Sequence, residues 1–275
     1  MTLLQATGLV KQYGHVRALN GTDFDVDAGE VVALIGDNGA GKSTLVRILS
    51  GSEDPDAGEI MLEGRRVRLD SPAVARDLGI ETVFQDLALA PHLDPVQNMY
   101  LGREIMRPGL LGRLGFMDTK AMRAGSREAF QKLGATVGNL SGAVGSMSGG
   151  QRQGVAVARA AAWVSKVIFL DEPTAALGVV QTRNVLDLIR RVADEGIGVV
   201  FISHSMPHVM EVADRIQVMR HGRRVATYAA KDTSMEQLVA AMTGALRRDG
   251  DGARQDGAAP ASARHTTSGE TPEAR

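Results

Sequence analysis

Gly36-Asp37-Asn38-Gly39-Ala40-Gly41-Lys42-Ser43 is the stretch that decides the fold of this 275-residue chain. It fits the pattern G-x-x-x-x-G-K-[ST], which is typical of a loop that cradles phosphate groups. An apolar run, Val31–Ile35, precedes it, and a stretch compatible with a helix, Lys42–Ser50, follows it. The pattern is informative only between a strand and a helix, and both are predicted here. By itself the loop is compatible with kinases, GTPases and motor proteins.

The residue types in this loop suit a nucleoside triphosphate. Glycines let the backbone approach the phosphates, successive amides point inward, and the helix N-terminus adds positive potential. We expect Lys42 to reach the β- and γ-phosphates and Ser43 to offer its hydroxyl to Mg²⁺. A chance match in a chain with 32 glycines is the alternative, and the flanking elements disfavour it. The residues predicted to contact ATP here are Gly36, Asp37, Asn38, Gly39, Ala40, Gly41, Lys42, Ser43 and Thr44.

Two adjacent carboxylates end a second apolar run. Val167–Leu170 has the composition of a buried strand, and Asp171 and Glu172 follow it directly. In a nucleotide hydrolase with a phosphate loop, an acid at such a strand end holds the hydration shell of Mg²⁺, and its neighbour can polarise the attacking water. We therefore predict that Asp171 serves the metal and Glu172 the water. Without the phosphate loop, an ordinary strand followed by an acidic turn would be the better interpretation.

Ser148-Gly149-Gly150-Gln151 is a third candidate site. It precedes an alanine-rich stretch, Val155–Val164, that is compatible with a helix. A serine and two glycines at a helix start make an anion site that suits a γ-phosphate. Serine and glycine are also common in ordinary helix caps, so the motif alone is a weak signal.

The order of predicted elements indicates an α/β protein. Residues 1–86 are rich in strand signals, residues 87–160 are helix-like, and strands and helices alternate from residue 164 onward. Alternation of this kind predicts a mainly parallel sheet with helices on both faces. We predict a phosphate-loop nucleotide hydrolase core with a mainly parallel sheet, an N-terminal antiparallel β subdomain and an inserted α-helical subdomain at about 87–160. Individual elements predicted are strands at Ile80–Phe84 and Val199–Ile202, a helix at Asp118–Leu133 and a hairpin at Arg215–Tyr228.

Composition excludes several classes of protein. With 31 basic and 32 acidic residues, the chain has no electrostatic footprint for nucleic acid. Absence of cysteine excludes a disulfide framework and a thiolate metal site. We recognise no signal peptide and no run of the roughly 20 apolar residues that span a bilayer, so any role at a membrane needs a partner. Residues 247–275 lack periodicity and are expected to form a disordered tail after an ATPase domain at 1–246.

Five motifs in a fixed order make the chain resemble the ATP-binding cassette family. That family has a phosphate loop, a glutamine loop, an LSGGQ signature, a strand-end Asp-Glu pair and a switch histidine. The matching residues here are Gly36–Ser43, Gln85, Met147–Gln151, Asp171-Glu172 and His204. The resemblance covers roughly residues 3 to 245. It implies ATP and Mg²⁺ as cofactors and ATP hydrolysis as the activity.

The resemblance also implies roles for single residues. Tyr13 resembles the aromatic residue that stacks on adenine, Gln85 the glutamine that touches Mg²⁺ and senses a membrane partner, and His204 the switch that contacts the γ-phosphate. Otherwise they would be a strand-edge tyrosine, a loop glutamine and a structural histidine. The implied catalytic set is Glu172, His204, Lys42 and Gln85, the implied metal set is Ser43, Gln85 and Asp171, and the signature set is Ser148, Gly149, Gly150 and Gln151.

Two positions depart from the family pattern. Met147 stands where the signature usually has leucine, and both residues are apolar and unbranched at Cβ. Gly178 stands where the loop after Glu172 commonly ends in aspartate, so a carboxylate that helps join two cassettes is missing. We expect the first change to be tolerated and the second to bear on coupling between cassettes.

Several stretches are similar to the ATPases of monosaccharide importers of the ribose, xylose and fructose type. They are Val83–Leu89, Asn98–Glu104, Ala175–Gly178 and Phe201–Met206. Most such ATPases fuse two cassettes, whereas this chain has one motif set, as in the single-cassette form of the fructose type. The similarity implies a second copy, a membrane permease and, indirectly, an extracellular or periplasmic sugar-binding protein as partners. It implies no nucleic acid, and a peripheral position at the cytoplasmic face of the membrane.

Alternatives remain at this point. A cassette acting on ribosomes or DNA usually has two motif sets or basic surfaces, and neither is present here. A non-hydrolysing interaction subunit is disfavoured by Lys42, Glu172 and His204. Exporter ATPases are generally fused to membrane helices. An ATPase for another small solute stays open, because a cassette does not touch the solute.

Overall fold

A six-stranded sheet with mainly parallel strands forms the centre of the protein in the computed structural model. Its order is β10-β9-β3-β8-β7-β6, in which β9, β3, β8, β7 and β6 pair in parallel and β10 pairs antiparallel with β9. A second sheet, β2-β1-β4-β5, is antiparallel throughout. The strands are β1 (Thr2–Tyr13), β2 (Val16–Asp27), β3 (Val31–Gly36), β4 (Ala57–Leu62), β5 (Arg65–Val67), β6 (Ile80–Val83), β7 (Val167–Asp171), β8 (Gly198–Ile202), β9 (Arg215–Arg220) and β10 (Arg223–Ala229).

The helices follow the predicted alternation. The described elements between β6 and β7 are helices. The β-type pairing described in this region is one isolated bridge between Met106 and Met117. The fold class predicted from the sequence is therefore confirmed. The helices are α1 (Lys42–Leu49), α2 (Pro72–Asp77), α3 (Pro95–Tyr100), α4 (Leu110–Arg113), α5 (Thr119–Lys132), α6 (Gly149–Trp163), α7 (Val179–Asp194), α8 (Met206–Val212) and α9 (Met235–Thr243).

The central sheet is buried on both faces, which explains its continuous apolar strands. Along β3, Val31, Ala33 and Ile35 belong to the core on one face, with α6 and α7. Val32 and Leu34 face the opposite core, with α1 and the antiparallel sheet. Because successive strand residues point to opposite faces, one apolar run serves two cores.

Boundaries of two predicted elements differ from the structure. Phe84 lies beyond the end of β6 at Val83. Helix α5 begins at Thr119, and the Asp118 carboxylate caps it by accepting the amide N–H of Ala121 at 3.0 Å. Helix α6 begins at Gly149 with Ser148 as its cap, so Ser148 and the two glycines lie at a helix start, as expected from the sequence.

The Asn98 side chain fixes the backbone of the segment that follows the predicted glutamine loop. Its side chain is fully buried. The amide oxygen accepts the N–H of Ala90 at 2.8 Å, and the amide nitrogen donates to the carbonyl oxygens of Ala90, Leu93 and Asp94 at 3.1, 3.3 and 3.1 Å. A buried amide with every group satisfied fixes the connection between β6 and α3.

The structure describes residues 2–132, 139–175 and 177–245. These belong to one compact unit, Met1–Ala245. The tail predicted at 247–275 lies outside the described residues. None of the described helices is long and apolar enough to cross a bilayer.

Candidate functional site

The phosphate loop leaves the centre of the large sheet at the carboxyl end of β3. Glycine is required at both ends of the loop. Gly36 has φ +154°, and an added Cβ would lie 2.3 Å from the Met219 carbonyl oxygen. At Gly41 φ is +101°, and a Cβ would lie 2.6 Å from the Ala18 carbonyl oxygen. Both positions therefore need a residue without a side chain, as the sequence pattern predicts.

The start of α1 is open to an anion. Its N-cap residue, Gly41, offers no side chain to the first amides, and its first turn contains no acidic residue. The first N–H groups of a helix have no partner within the helix, and the helix dipole makes that end positive. Ser43 is exposed at this end. The arrangement suits a bound phosphate.

Lys42 is buried against the loop it follows. Its ammonium donates to the carbonyl oxygens of Gly36 at 2.6 Å and Asp37 at 3.0 Å. Burial lowers the pKa of the Lys42 ammonium, and the negative charges of Glu172, Asp171 and Asp37 oppose that shift. The lysine thus lies near both predicted carboxylates, with its donors directed at the loop backbone.

Asp171 and Glu172 lie at the carboxyl end of β7, two strands away from β3 in the sheet. Burial raises the pKa of both carboxyl groups, and the charge of Asp171 raises that of Glu172 further. Lys42 and His204 act in the opposite direction on both groups. A glutamate with a raised pKa is a better proton acceptor than an exposed one.

Glu172 is held in a strained conformation. Its φ is +51°, in the left-handed region that residues with a Cβ seldom adopt. Its N–H donates to the Ile202 carbonyl oxygen at 3.0 Å, which ties the end of β7 to the end of β8. Among the described residues, its buried Oε1 atom has no hydrogen-bond partner. This carboxylate oxygen is therefore available to a water molecule or substrate.

His204 follows β8 and faces the same carboxylate. Its Nε2 atom lies 3.4 Å from Glu172 Oε1, without the geometry of a hydrogen bond, and its side chain is half exposed. Parallel strands β3, β8 and β7 end at one edge of the sheet, which brings Lys42, Asp171, Glu172 and His204 together. Ligands of open α/β sheets bind at this edge.

Tyr13 lies next to the start of α1, and its hydroxyl forms a hydrogen bond with a side chain outside the phosphate loop. Its hydroxyl donates to the Glu53 carboxylate, and Thr44 is within hydrogen-bonding reach. Burial, followed by the contact with Glu53, raises the pKa of the Tyr13 phenol. Of the residue 41% is exposed, and the Lys11 ammonium lies over the Tyr13 ring, 5.7 Å from its centroid.

The signature residues cap their own helix. Ser148 Oγ accepts the Gln151 N–H at 3.3 Å, and Gln151 Oε1 accepts the Ser148 N–H at 3.0 Å, a reciprocal capping box. Ser148 and Gly149 are exposed. Within the described residues, no hydrogen bond or ion pair joins Ser148–Gln151 to the phosphate loop. The structure thus does not unite the two predicted phosphate sites within one chain.

Gln181 links two of the predicted loops and was missed from the sequence. A Cβ added at Gly150 would lie 2.5 Å from its Cγ atom, and one added at Gly178 would lie 2.7 Å from its Oε1 atom. Gln181 therefore lies against the signature motif and against the loop after Glu172. Gly178 itself is the N-cap of α7 and provides no side-chain cap.

An arginine on α6, which was not predicted from the sequence, donates hydrogen bonds to the backbone of the glutamine loop. Gln85 is exposed directly after β6, and the following Leu87 and Ala88 have φ values of +62° and +43°. The Arg159 guanidinium, on α6, donates to the Ala88 carbonyl oxygen at 2.9 Å and to the Leu87 carbonyl oxygen at 3.2 Å. Arg159 is a positioning residue that connects the helix after the signature to the glutamine loop.

We predict that Arg159→Gln lowers the rate of ATP hydrolysis by about 10- to 100-fold, because loss of two charged hydrogen bonds lets the strained loop move. ATP affinity should stay within about twofold of the unmodified protein, since Arg159 contacts only the backbone of the glutamine loop. Arg183→Gln is the matched control, because Arg183 pairs with Glu211 on the surface. Comparing turnover with ATP affinity checks this, and an equal loss of both would contradict it.

The predicted metal ligands fit Mg²⁺ only together with a nucleotide. No group of three or more His, Asp or Glu side chains in the described part of the chain could hold a metal ion. Mg²⁺ usually keeps several waters and binds one or two protein oxygens plus substrate phosphates. The Ser43 hydroxyl and the Asp171 carboxylate are oxygen ligands of that kind, and Glu172, next to Asp171 in the sequence, has an Oε1 atom without a hydrogen bond among the described residues.

Comparison with known proteins agrees with this geometry. A family model described as ABC transporter matches residues 19–175. The fructose import ATP-binding protein FrcA of Rhizobium meliloti is 54% identical over 245 residues, which cover 88% of this chain and 94% of that protein. The xylose/arabinose import ATP-binding protein XylG of Sulfolobus acidocaldarius is 43% identical over 88% of this chain and 94% of its own length. The ribose import ATP-binding protein RbsA 1 of Rubrobacter xylanophilus is 42% identical, but the match covers only 47% of it.

Solved structures show the same fold. MJ1267, an ATP-binding cassette of an ABC transporter, superposes with a TM-score of 0.74 at 26% identity, over 88% of this chain and 98% of that one. CbiO1 from Clostridium perfringens, part of an ABC transporter complex, superposes with a TM-score of 0.70 at 26% identity, over 89% and 95%. The five ordered motifs, the sheet edge that brings Lys42, Asp171, Glu172 and His204 together, and these relatives lead to one conclusion. The chain belongs to the ABC transporter family, as one of its ATP-binding cassettes.

Proposed function

We propose that this cassette hydrolyses ATP to drive import of a monosaccharide through a membrane permease supplied by another chain. One observation supports the hydrolytic part most directly. The Glu172 Oε1 atom is buried without a hydrogen-bond partner among the described residues, 3.4 Å from His204 Nε2 and close to Lys42. A carboxylate in that position suits the activation of a water molecule.

The proposed reaction assigns one task to each group. Glu172 takes a proton from water as the water oxygen bonds to the γ-phosphorus, and the bond from that phosphorus to the β,γ-bridging oxygen breaks, releasing ADP and phosphate. Lys42 moves from the loop carbonyls to the β- and γ-phosphates, and His204 contacts the γ-phosphate. Ser43, Asp171 and Gln85 would hold Mg²⁺ or its waters, and the ion would supply positive charge to the phosphates. The exposed ring of Tyr13 stacks on adenine.

A second copy completes the site in this proposal. Ser148 and Gly149 are exposed at the N-terminus of α6, and among the described residues no hydrogen bond or ion pair joins them to the phosphate loop of their own chain. An ATP on one copy is then sealed by the signature of the other. One solved cassette of the same fold, MJ0796, is described as dimeric. Gly178 leaves Gln181 beside the signature as a polar group for that interface.

The proposed permease contact is a groove in the helical part of the domain. A cavity of about 260 Å³ lies between α3 and α5, and its lining is half apolar and half polar or charged: Leu93, Val96, Leu101, Met117 and Met122 with Asp94, Gln97, Glu104, Thr119 and Arg123. Of the methionines concentrated in this region, Met99 and Met122 belong to the core, whereas Met106 and Met117 are exposed. We propose that the ATPase domain spans residues 1–246, with the helical part at about 87–160, and lies at the cytoplasmic face of the membrane.

Dilution of the purified chain tests the two-copy site. We expect ATPase activity per chain to fall as the protein is diluted, because only paired cassettes have complete sites. Mixing Lys42→Ala with Ser148→Arg is the matched test, since each variant supplies the element that the other lacks. Activity of the mixture above the sum of the two variants supports the proposal. Activity per chain that is independent of concentration, or no gain on mixing, counts against it.

Sugar import is tested separately. The chain is used to capture its permease from membranes, and the complex is reconstituted in vesicles with the matching sugar-binding protein. ATP-dependent accumulation of labelled fructose, xylose or ribose supports monosaccharide import. An active ATPase complex that accumulates none of these sugars would contradict the proposed substrate class.

A further inference from the structure

Residues 105–117 form a loop between α3 and α5 that is closed at its base by backbone hydrogen bonds; we call it the cationic hairpin. Its base is closed by the Asp118 N–H, which donates to the Ile105 carbonyl oxygen at 2.6 Å, and by the Arg107 N–H, which donates to the Phe116 carbonyl oxygen at 2.9 Å. Its tip contains α4, where the Leu114 N–H donates to the Leu110 carbonyl oxygen at 3.1 Å. These backbone bonds give the hairpin a defined shape.

The defined shape exposes apolar side chains. Leu110 is 71% exposed, Leu114 66% and Phe116 54%. The remaining large apolar residues of the hairpin, each more than one third exposed, are Ile105, Met106, Leu111 and Met117. Single exposed apolar residues are ordinary, but a cluster on one ordered segment marks an interaction surface.

The charges of the hairpin all have one sign. Arg107 and Arg113 are exposed, and the sequence from 105 to 117 contains no aspartate or glutamate. Within the described residues, neither guanidinium forms an ion pair or a side-chain hydrogen bond. By contrast Arg103, just before the hairpin, pairs with Glu81 at 2.6 Å and lies over the Trp163 ring. The two arginines are therefore free to meet negative charges outside the chain.

We propose that the cationic hairpin binds the surface of an anionic phospholipid bilayer, with Leu110, Leu114 and Phe116 at the headgroup boundary and both arginines on lipid phosphates. Apolar side chains interleaved with arginines are the composition of segments that lie in the membrane interface. The inference rests on the proposed function for its location: Leu101 and Met117, at the base of the hairpin, line the groove proposed to receive the permease.

Charge favours lipid over a loop of the permease as the occupant. Cytoplasmic loops of membrane proteins are enriched in lysine and arginine, so they would repel a segment that carries two arginines and no acidic residue. The cytoplasmic leaflet carries a negative surface potential and attracts such a segment. The hairpin thereby gives the cassette a second attachment beside the permease and orients it against the membrane.

Flotation with vesicles tests the proposal without permease or nucleotide. The probes are vesicles of equal parts phosphatidylglycerol and phosphatidylcholine, compared with vesicles of phosphatidylcholine alone. We expect the full chain to bind the anionic vesicles and to dissociate as salt is raised. Each arginine should contribute roughly fivefold, so Arg107→Gln with Arg113→Gln should weaken vesicle binding by about 25-fold. Leu110→Asn with Leu114→Asn should weaken it by more than about tenfold.

Val225→Asn with Val239→Asn is the matched control, because these valines are 46% and 47% exposed on β10 and α9, away from the hairpin in sequence. It should keep vesicle binding. All three double variants should keep concentration-dependent ATPase activity, which separates this proposal from the proposed function.

Failure of the full chain to bind anionic vesicles overturns the membrane-binding proposal, and so does vesicle binding that the hairpin variants leave unchanged. Loss of permease capture in detergent with vesicle binding unaltered also overturns it and points to a protein contact. If the leucine variant fails to fold, the arginine variant decides.

Discussion

Glu172→Gln should lower the rate of ATP hydrolysis by about 10²- to 10⁴-fold while ATP binding is retained. Glutamine keeps the size of the side chain and can occupy the strained position at φ +51° that Glu172 already adopts. What it loses is the ability to accept a proton from water. Because ATP joins two copies in the proposed site and this variant does not consume it, the variant should also accumulate as an ATP-bound dimer.

The measurement compares ATP turnover, ATP affinity and size-exclusion profiles of the variant and the unmodified chain. Glu211→Gln is the control, because Glu211 is a surface carboxylate that pairs with Arg183 at 2.9 Å. Turnover of Glu172→Gln near the normal rate would show that another group activates the water. Loss of ATP binding would instead indicate that the carboxylate holds the loop in shape.

The raised pKa of Glu172 adds a pH dependence to this test. Burial shifts the pKa of this carboxyl group above 4.5, its ordinary value, so it takes up a proton at a higher pH than an exposed glutamate. The base acts only when ionised. Turnover should therefore fall as the pH is lowered through the raised pKa of Glu172. Residual hydrolysis by Glu172→Gln should lack this acidic limb.

Lys42→Ala should weaken ATP binding by about 100-fold, which corresponds to roughly 3 kcal/mol for the lost charged hydrogen bonds to phosphate. The ammonium no longer meets the β- and γ-phosphates, which is the direct cause of the loss. The bonds that Lys42 donates to the carbonyl oxygens of Gly36 and Asp37 belong to the loop without ATP and are given up when the ammonium moves to the phosphates, so they do not add to the affinity.

Binding is best measured in the Glu172→Gln background, so that ATP is not consumed during titration. The comparison is between Glu172→Gln alone and the same chain carrying Lys42→Ala as well. Lys166→Ala is the control, because Lys166 forms an exposed ion pair with Glu63 at 2.8 Å. ATP affinity unchanged by Lys42→Ala would refute the assignment of the phosphate loop.

Strands and loops near the phosphate site could be predicted closely. Val31–Ile35 is apolar because β3 is buried on both faces, and the glycine pattern follows from two backbone contacts that leave no room for a Cβ. The hairpin at 215–228 matched β9 and β10 because the turn at His221-Gly222 separates the two strands, of which only β10 alternates in burial. The start of α6 also agrees with the sequence, because Ser148 and the two glycines after it have the composition of a helix cap.

Other parts of the site were beyond prediction. Arg159 supports the glutamine loop from 71 residues away, and its donors reach backbone carbonyl groups that any residue would offer. Gln181 likewise lies against Gly150 and Gly178, and glycine offers no side chain that would signal this contact in the sequence. A contact between a side chain and a distant backbone has no pattern along the chain, because neither partner's identity signals the other.

The sequence by itself determined the class of the fold and the residue types of the phosphate site, from Gly36 to Ser43, because steric limits on glycine and the charge of ATP allow few alternatives. Only the tertiary structure decided that Lys42, Asp171, Glu172 and His204 lie at one edge of the sheet, with Glu172 Oε1 buried and without a hydrogen bond among the described residues. It also decided that, among the described residues, no hydrogen bond or ion pair joins Ser148–Gln151 to the phosphate loop of the same chain. The physical reason is that strand order in a parallel sheet, not distance along the chain, sets which strand ends meet.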